Sequence, residues 1–339
     1  MIFLGDLACP PEKISEFNTA VDNLDIIDNQ VVVLNLEALM LFGSPIRPDT
    51  LYNHEKVLDT LKKRAKKVIV SMANNHIYDY PEKILQTKEF LEKQGIGVFG
   101  LVGTDREISP YEFEDENEKY AFFGHCWNLY TATNPNRVND EKIVDCKYAD
   151  FMATVKAYII SNPQRKTYCF MHWNYDLELL PFPMHIKLSH DLIDAGVCGV
   201  IGSHSHVTQC VEEYKSRPIA YCLGNFYLPS GIYFNGKLNY PPKARHTIGL
   251  RVDNNHSEVL CFKTDCDKPI SFEKTVQIGD YLQLPVSDIE SYTTYFRKHR
   301  QKKLLVPVFD SYVGYKYKIK KRWAICRVKL IKSILKILR

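Results

Sequence analysis

Short apolar runs of strand length alternate along the chain with segments whose apolar residues recur every three or four positions. The first pattern predicts buried β-strands, and the second predicts amphipathic helices over 12–24, 51–65 and 81–95. The predicted strands are 1–6, 30–37, 67–76, 97–100, 120–126, 167–173, 198–204 and 219–226, and a hairpin follows over 247–264 with Asn254 and Asn255 at its turn. This alternation predicts an α/β fold.

Several predicted strands end on a polar side chain that can bind a metal ion or a phosphate group. These residues are Asp6, Glu37, Asn75 with His76, His172, and His204 with His206. Because open α/β sheets bind ligands at the carboxyl ends of their strands, we expect these side chains to form one site. A lone histidine such as His172 is more often a packed core residue, but five such strand ends together indicate a functional site.

His204 and His206 follow the apolar run 198–201 and Gly202. Residues two apart on an extended strand face the same side, so both imidazoles are expected to point to one place. Gly202 permits a close approach of the backbone to a neighbour. Two converging neutral imidazoles suit one metal ion, or two ions that share a site. The alternative is a pair of histidines hydrogen-bonded within the protein.

The composition indicates a soluble globular chain, because 45% of the 339 residues are hydrophobic and 25% are charged. No run of about 18 apolar residues is present, so no single membrane-spanning helix is predicted. Residues 1–10 lack a basic stretch and include Asp6, which does not fit a secretory signal peptide. The ten cysteines form no CxxC pair, and we expect buried thiols in a cytoplasmic protein.

The C-terminal segment differs in charge from the rest of the chain. Residues 297–339 carry 15 Lys and Arg against one acid, Asp310, so their net charge is +14 and that of the remainder is −10. We therefore predict a domain of residues 1–285 and a basic helical extension of residues 286–339.

Within that extension, apolar residues recur at steps of three and four from Ile319 to Ile337, and basic residues from Lys318 to Arg339 fall largely on the other side. This pattern predicts that residues from about 316 onward form a peripheral anchor on an anionic membrane. One alternative is a helix packed on the domain with a solvated basic face. Nucleic acid is not expected as a partner, because its phosphates need no broad apolar face.

The polar strand ends belong to motifs that occur in a specific order: GD with Asp6, NLE with Glu37, ANNH with Asn75 and His76, HW with His172, GSHSH with His204 and His206, and YCLGNF. From residue 1 to about residue 230, this ordered set resembles the bacterial capsule-synthesis CapA/PgsA family, a branch of the calcineurin-like metallophosphoesterases. The resemblance implies a metallophosphoesterase-like sandwich of two mixed β-sheets flanked by helices, with two divalent metals at one rim.

The resemblance also implies roles for individual residues. Glu37 takes the place of the bridging carboxylate. The remaining ligands would be Asn75, His172 and His204 for one ion, and Asp6 and His206 for the other. This mixture of donors suits Mn, Fe or Zn, and a metal-bridged hydroxide would be the nucleophile. His76 occupies the position of a general acid, and Asp79 is a candidate partner that orients it.

The sequence departs from the pattern of the larger superfamily at several positions. Ala8 stands where that superfamily has a histidine ligand, and Glu37 replaces an aspartate. The HWGxE motif of the family is HWNYD here, so Asn174 and Asp176 occupy the expected Gly and Glu positions. These changes bear on how firmly one of the metals is held.

Three functional hypotheses follow. The first is a metal-dependent hydrolase that cleaves a phosphoester in capsule or cell-envelope polymer biosynthesis. The second is a non-catalytic accessory subunit that binds an anionic polymer, such as poly-γ-glutamate, for a membrane synthase. The third is a peripheral scaffold that works through its basic tail. His76 favours the first hypothesis, because a binding pocket needs no general acid, whereas Ala8 weighs against it. The expected location is the cytoplasm, at the inner face of the membrane.

Overall fold

The computed structural model describes residues 1–103, 105–116, 118–132, 134, 136–137, 142–253, 256–265, 268–301 and 305–337. The side chains of 265, 268, 269, 332 and 335–337 lie outside this description. The predicted turn at Asn254 and Asn255 and the last basic residue, Arg339, also lie outside the described residues.

The first of two mixed sheets has eight strands within the described ranges. In chain order they are β1 (Ile2–Leu7), β2 (Val31–Leu36), β3 (Lys67–Ser71), β4 (Gly97–Phe99), β11 (Asn225–Tyr227), β12 (His246–Asp253), β13 (His256–Asp265) and β14 (Lys268–Gln277). The strand order is β14-β13-β12-β1-β2-β3-β4, and β11 also pairs with β1. Strands β1 to β4 run parallel, whereas β12 to β14 form an antiparallel meander.

The second sheet has six strands over the same described ranges, in the order β5-β6-β7-β8-β10-β9. They are β5 (Tyr111–Asp115), β6 (Glu118–Cys126), β7 (Arg165–His172), β8 (Gly199–Ser203), β9 (Val211–Tyr214) and β10 (Arg217–Ala220). Its centre is parallel from β6 through β7 and β8 to β10, and both edge strands are antiparallel. Parallel strands bring their carboxyl ends to one edge of the sheet.

Helices cover the outer faces of both sheets. They are α1 (Ile14–Asp22), α2 (Asp59–Arg64), α3 (Ile84–Lys93), α4 (Asn128–Thr131), α5 (Tyr148–Ser161), α6 (Pro183–Asp194), α7 (Ile289–His299) and α8 (Gly314–Ile337). One core between the sheets contains Phe3, Ile69, Phe122 and Phe170. A second core lies between the first sheet and its helices, and a third core lies between the second sheet and its helices. The predicted sandwich of two mixed sheets flanked by helices is therefore confirmed.

Most predicted elements are present, with different bounds. The helix predicted over 51–65 begins only at Asp59, and the strand predicted over 219–226 is divided between the two sheets. Its first part is β10 of the second sheet and its last part is β11 of the first, because the chain turns at Gly224, which has a φ of 78°. Among the nine described cysteines, all are free thiols and five are buried.

The C-terminal segment packs through α7 and the first turns of α8. Tyr292 and Phe296 of α7 and Tyr317 and Ala324 of α8 are buried in the core on the outer face of the second sheet. The predicted division of the chain at residue 285 stays a prediction. Within the described part of the chain, none of the helices combines the length and apolar character needed to cross a membrane.

Candidate metal centre

Two buried carboxylates lie at the ends of adjacent parallel strands. Asp6 is near the end of β1 and Glu37 directly follows β2, and both are fully shielded from solvent. Asn35 pairs with Asp6 across the two strands. Its Nδ2 donates to Asp6 Oδ1 at 2.7 Å and also to Glu37 Oε2. This shared amide holds the two acids on one side of the sheet.

The segment after β3 supplies an amide and a histidine–aspartate pair. Residues Asn75–Asp79 form a 3-10 turn, whose start is capped by the Asn74 side chain as it accepts from the His76 backbone N–H at 3.1 Å. The His76 Nδ1 donates to Asp79 Oδ2 at 2.8 Å. That carboxylate also accepts from the Leu51 backbone N–H at 2.8 Å. Asp79 is thereby fixed, and it fixes the orientation of the imidazole.

His172, the last residue of β7, lies at the centre of the cluster. Its Nε2 is 2.7 Å from Asn75 Oδ1, 3.0 Å from His204 Nδ1 and 3.6 Å from Glu37 Oε1. Its Nδ1 is 2.9 Å from Ser203 Oγ. Burial, followed by the neighbouring His204, lowers the pKa of His172 well below its usual range. The ring is therefore neutral, which is the form that binds metals.

His204 and His206 converge, but the strand geometry expected for them is wrong. Strand β8 ends at Ser203, and both histidines lie in the loop beyond it with left-handed φ values of 91° and 57°. Such backbone is strained for residues other than glycine and clusters at functional sites. The close approach predicted for Gly202 is confirmed, because a Cβ there would lie 1.9 Å from the Tyr221 carbonyl oxygen.

The two loop histidines are held by different partners. The His204 backbone N–H donates to Asp6 Oδ2 at 3.0 Å, and its ring lies 4.1 Å from that of Tyr130, centroid to centroid. His206 Nδ1 is 2.8 Å from Asn225 Oδ1 and 3.5 Å from Asp6 Oδ2. Asp6 therefore contacts both histidines, although each lies at least 198 residues farther along the chain.

Asp176 is a candidate ligand that the sequence reasoning did not assign. Its Oδ1 lies 3.2 Å from His204 Nε2, and with His204 and His206 it forms a group able to hold a metal ion. Asp6, Glu37 and His172 form a second such group. The signal available in the sequence was the HWNYD motif itself, where Asp176 stands at the position of the family's Glu. The assignment of ligands to individual ions stays a prediction.

The chemistry of this cluster fits a bound metal. Glu37 Oε1 is a buried atom with no hydrogen-bond partner among the described residues, and it is of a type that binds divalent metals, as is His204 Nε2 beside the Asp176 carboxylate. A buried acceptor of this kind is costly unless another group compensates it. Burial, together with the nearby Asp6 carboxylate, raises the pKa of the Glu37 carboxyl well above its usual range. A bound divalent cation would provide a partner for the Glu37 oxygen and would offset the repulsion between the Glu37 and Asp6 carboxylates.

Two departures from the superfamily pattern have a structural explanation. Ala8 is fully buried and offers no donor side chain, so the ligand expected there is lacking. Asn174 has a φ of 76° and makes local bonds, accepting from the Tyr175 backbone N–H at 2.8 Å and donating to the Leu180 carbonyl at 3.0 Å. It therefore serves to shape the loop that presents Asp176.

A small cleft adjoins the His206 side of the cluster. Its volume is about 40 Å³, and its lining includes Asn225, Tyr240 and Arg245. Asn225 bonds to His206, and the Tyr240 ring lies 5.2 Å from the His206 ring. Arg245 thus lines the same cleft as Asn225 and Tyr240, which contact the candidate ligand His206.

Comparisons with known proteins bear on the family of the chain. Residues 13–230 match the family described as bacterial capsule synthesis protein PGA_cap. The capsule biosynthesis protein CapA of Bacillus anthracis is 37% identical over 60 residues, which are 18% of this chain and 15% of that protein. The solved NAD nucleotidase of Haemophilus influenzae aligns with 13% identity and a TM-score of 0.43, covering 95% of this chain and 55% of that one. The chain therefore spans about half of that structure, and the CapA match covers a small part of the relative.

Proposed function

Because the chain belongs to the bacterial capsule synthesis protein PGA_cap family, as the match over residues 13–230 shows, we propose that it is a metal-dependent hydrolase that cleaves a phosphoester bond during assembly of a capsule or cell-envelope polymer. The observation that carries the proposal is the convergence of buried acid, amide and imidazole ligands beside an oriented His–Asp pair. A purely structural cluster does not need that pair.

The residues that would hold up to two ions of Mn, Fe or Zn are Asp6, Glu37, Asn75, His172, His204 and His206, joined by Asp176. Ions bound there would polarise the phosphoryl oxygens and lower the pKa of a water molecule. Glu37 suits a bridging role, because its unpartnered Oε1 faces the Nε2 atoms of His172 at 3.6 Å and of His76 at 4.0 Å. Imidazoles bind metals as neutral rings, so the histidine ligands would complete the site without adding charge.

His76 is the proposed general acid. Its Nδ1 is engaged by Asp79 at 2.8 Å, so the other ring nitrogen, Nε2, is directed to the cluster, where it lies 4.0 Å from Glu37 Oε1. From there Nε2 would donate a proton to the leaving-group oxygen as the phosphoester bond breaks. The ring edge packs on Phe234 at a centroid distance of 5.9 Å, which limits its movement.

A second candidate is a non-catalytic subunit that uses the same pocket to bind an anionic polymer. Ala8 favours it, because the lack of one ligand lowers the affinity for a metal ion more than it lowers the affinity for an anion. The two candidates differ in their dependence on His76. A binding pocket would tolerate its loss, whereas a phosphoesterase would lose turnover on esters with poor leaving groups.

The test combines metal analysis with hydrolysis of aryl and alkyl phosphate mono- and diesters. We expect His76→Ala to keep its metal and to lose roughly 10²- to 10⁴-fold in rate on alkyl esters, with a smaller loss on activated aryl esters. The matched control is His190→Ala, which removes a His–carboxylate pair of 2.9 Å with Glu212 away from the centre. Absence of metal after loading, or turnover equal to the control, would refute the proposal.

A further inference from the structure

Helix α8 packs on the body of the protein through one face only. Among the side chains of α8 that the structure describes, Tyr317 and Ala324, seven residues apart, are the buried ones, at 6% and 2% exposure. The Tyr317 ring lies 5.8 Å from that of Phe309, and both belong to the core on the outer face of the second sheet. At about 100° per residue these two positions nearly coincide on the helix surface, so they define the inward direction.

The apolar stripe predicted from the sequence lies outside the buried face of α8 and is exposed. Ile319, Trp323, Leu330 and Ile334 are exposed by 48%, 49%, 61% and 46%. At about 100° per residue they fall roughly 90° to 150° away from the inward direction, taken midway between Tyr317 and Ala324. Leu305 extends the patch, because its carbonyl accepts from Trp323 Nε1 at 2.9 Å and its side chain is exposed. We call Ile319, Trp323, Leu330 and Ile334, together with Leu305, the outer stripe. A helix that only packs on the domain and exposes a basic face does not account for these exposed apolar side chains.

Basic side chains border the outer stripe on both sides. Lys318, Arg322 and Lys329 lie along one border and Lys316 and Arg327 along the other, by the same helical spacing. No acidic residue occurs between 314 and 339. The nearest acid in sequence, Asp310, is paired with Lys320 at 2.7 Å and Arg297 at 3.5 Å. The outward face of α8 is therefore apolar at its middle and positive at its edges.

We propose that this face of α8 binds the surface of an anionic lipid bilayer. An amphipathic helix with a basic border and Trp and Leu on its apolar face lies in the plane of the interface with that face among the acyl chains. A second copy of the chain fits poorly, because pairing two outer stripes would bring the positive borders together. A soluble polyanion would satisfy the lysines and arginines but leave the stripe in water.

The position of α8 relates the bilayer to the metal centre. Helix α4 packs against both α8 and the turn Asn75–Asp79. Tyr130 of α4 is the residue whose ring contacts His204. One short helix thus separates the membrane-binding helix from the candidate ligands. The centre would then lie close to the lipid surface when α8 is bound.

Trp323 provides a direct test of the contact in the full-length protein. The chain has three tryptophans, and the other two, Trp127 and Trp173, are buried at 0% and 1% exposure. A blue shift of the emission on adding vesicles, and its quenching by brominated acyl chains, therefore report on Trp323. We expect both with vesicles containing phosphatidylglycerol, and neither with phosphatidylcholine alone. Raising the salt from about 0.1 M to about 1 M should weaken binding, because the Debye length falls from about 10 Å to about 3 Å.

Matched variants separate the two parts of the face. Each basic residue near an anionic surface is worth about fivefold in affinity, so Lys318→Glu, Arg322→Glu and Lys329→Glu together should reduce binding on the order of 100-fold or more. The control for charge is Lys63→Glu on α2. Ile319→Gln with Leu330→Gln should abolish the quenching, whereas the control Ile160→Gln, on the exposed face of α5 at 70% exposure, should not.

The proposal fails if binding ignores lipid charge, if the outer-stripe variants bind as their control does, or if no vesicle shifts the emission. It also fails if the outer stripe instead supports a dimer in light scattering, or if the emission shifts with soluble poly-γ-glutamate or nucleic acid and not with vesicles. Circular dichroism establishes that each variant is folded. All substituted residues are surface residues outside the metal centre, so metal content serves as an independent reference.

Discussion

Replacing Glu37 with glutamine should change the stability of the protein in opposite directions with and without metal. Asp6 and Glu37 are both fully buried and share the Asn35 amide, which donates to each. Without a cation, Glu37→Gln removes one buried acid from beside another and supplies an NH₂ group near the unpartnered Oε1 position. We therefore expect the metal-free variant to be at least as stable as the metal-free wild type.

With metal the order should reverse. A ligand present at about 100 times its Kd stabilises the folded state by about 2.7 kcal/mol for one site. The unfolding entropy of about 2.1 cal/mol/K per residue amounts to about 0.7 kcal/mol/K for this chain, so the Tm of the wild type should rise by about 4 °C. The variant lacks the carboxylate that suits a bridge and should gain much less.

The assay is differential scanning calorimetry of chelator-treated protein, followed by titration with Mn, Fe or Zn. Glu212→Gln is the matched control, because Glu212 pairs with His190 at a partly exposed position away from the centre. A wild-type Tm that does not respond to any of the three metals would refute the reasoning. So would a variant that gains as much from the metal as the wild type does.

Three further predictions concern positioning, packing and pH. Asp79→Asn should lower turnover on poor leaving groups by roughly 10- to 100-fold, because it removes the negative charge that orients and supports the His76 imidazole, measured in the same ester panel, with rescue by Asp79→Glu. Gly202→Ala should lower the free energy of unfolding by at least about 1–3 kcal/mol in urea denaturation, because its Cβ would meet Tyr221 at 1.9 Å, whereas Gly279→Ala has open space and should not. Burial lowers the pKa of His125 to about 4, so the unfolded chain binds more protons below pH 6.5 and stability should fall by up to about 3 kcal/mol between pH 6.5 and 4. Denaturation of His125→Gln over that range should show a smaller loss, and an unchanged slope would contradict the assignment.

The general position of the site was predictable because parallel strands bring their ends together. Asp6, Glu37 and His172 come at the ends of strands whose apolar runs are clear in the sequence. Strand pairing brings Asp6 and Glu37 together in the first sheet, and the packing of the second sheet on the first brings His172 to them. Asn35 lies two residues before Glu37, so the same-face rule for strands could have identified it as the shared donor. Asn75 was predicted as part of a strand end, but β3 ends at Ser71 and Asn75 begins the 3-10 turn that follows.

The loop geometry was not predictable from periodicity. His204 and His206 look like a strand end, but their left-handed backbone turns them away from β8 and toward Asp6. The run 219–226 is apolar except for Gly224 and Asn225, and its periodicity does not mark the crossing from one sheet to the other at Gly224. Spacing also located the apolar stripe of α8, but the inward direction depends on how Tyr317 and Ala324 meet the body.

The crossing at Gly224 bears on how the nascent chain assembles. Strand β11 brings Asn225 opposite Asp6 of β1, and the edge of β1 that β12 covers is completed later still. At about 5–20 residues per second, the 198 residues between Asp6 and His204 take about 10–40 s to emerge from the ribosome. Throughout that interval β1 has an unpaired edge and its carboxylate has no histidine partner. A cation can therefore meet the complete set of candidate ligands only after His206 has emerged from the ribosome.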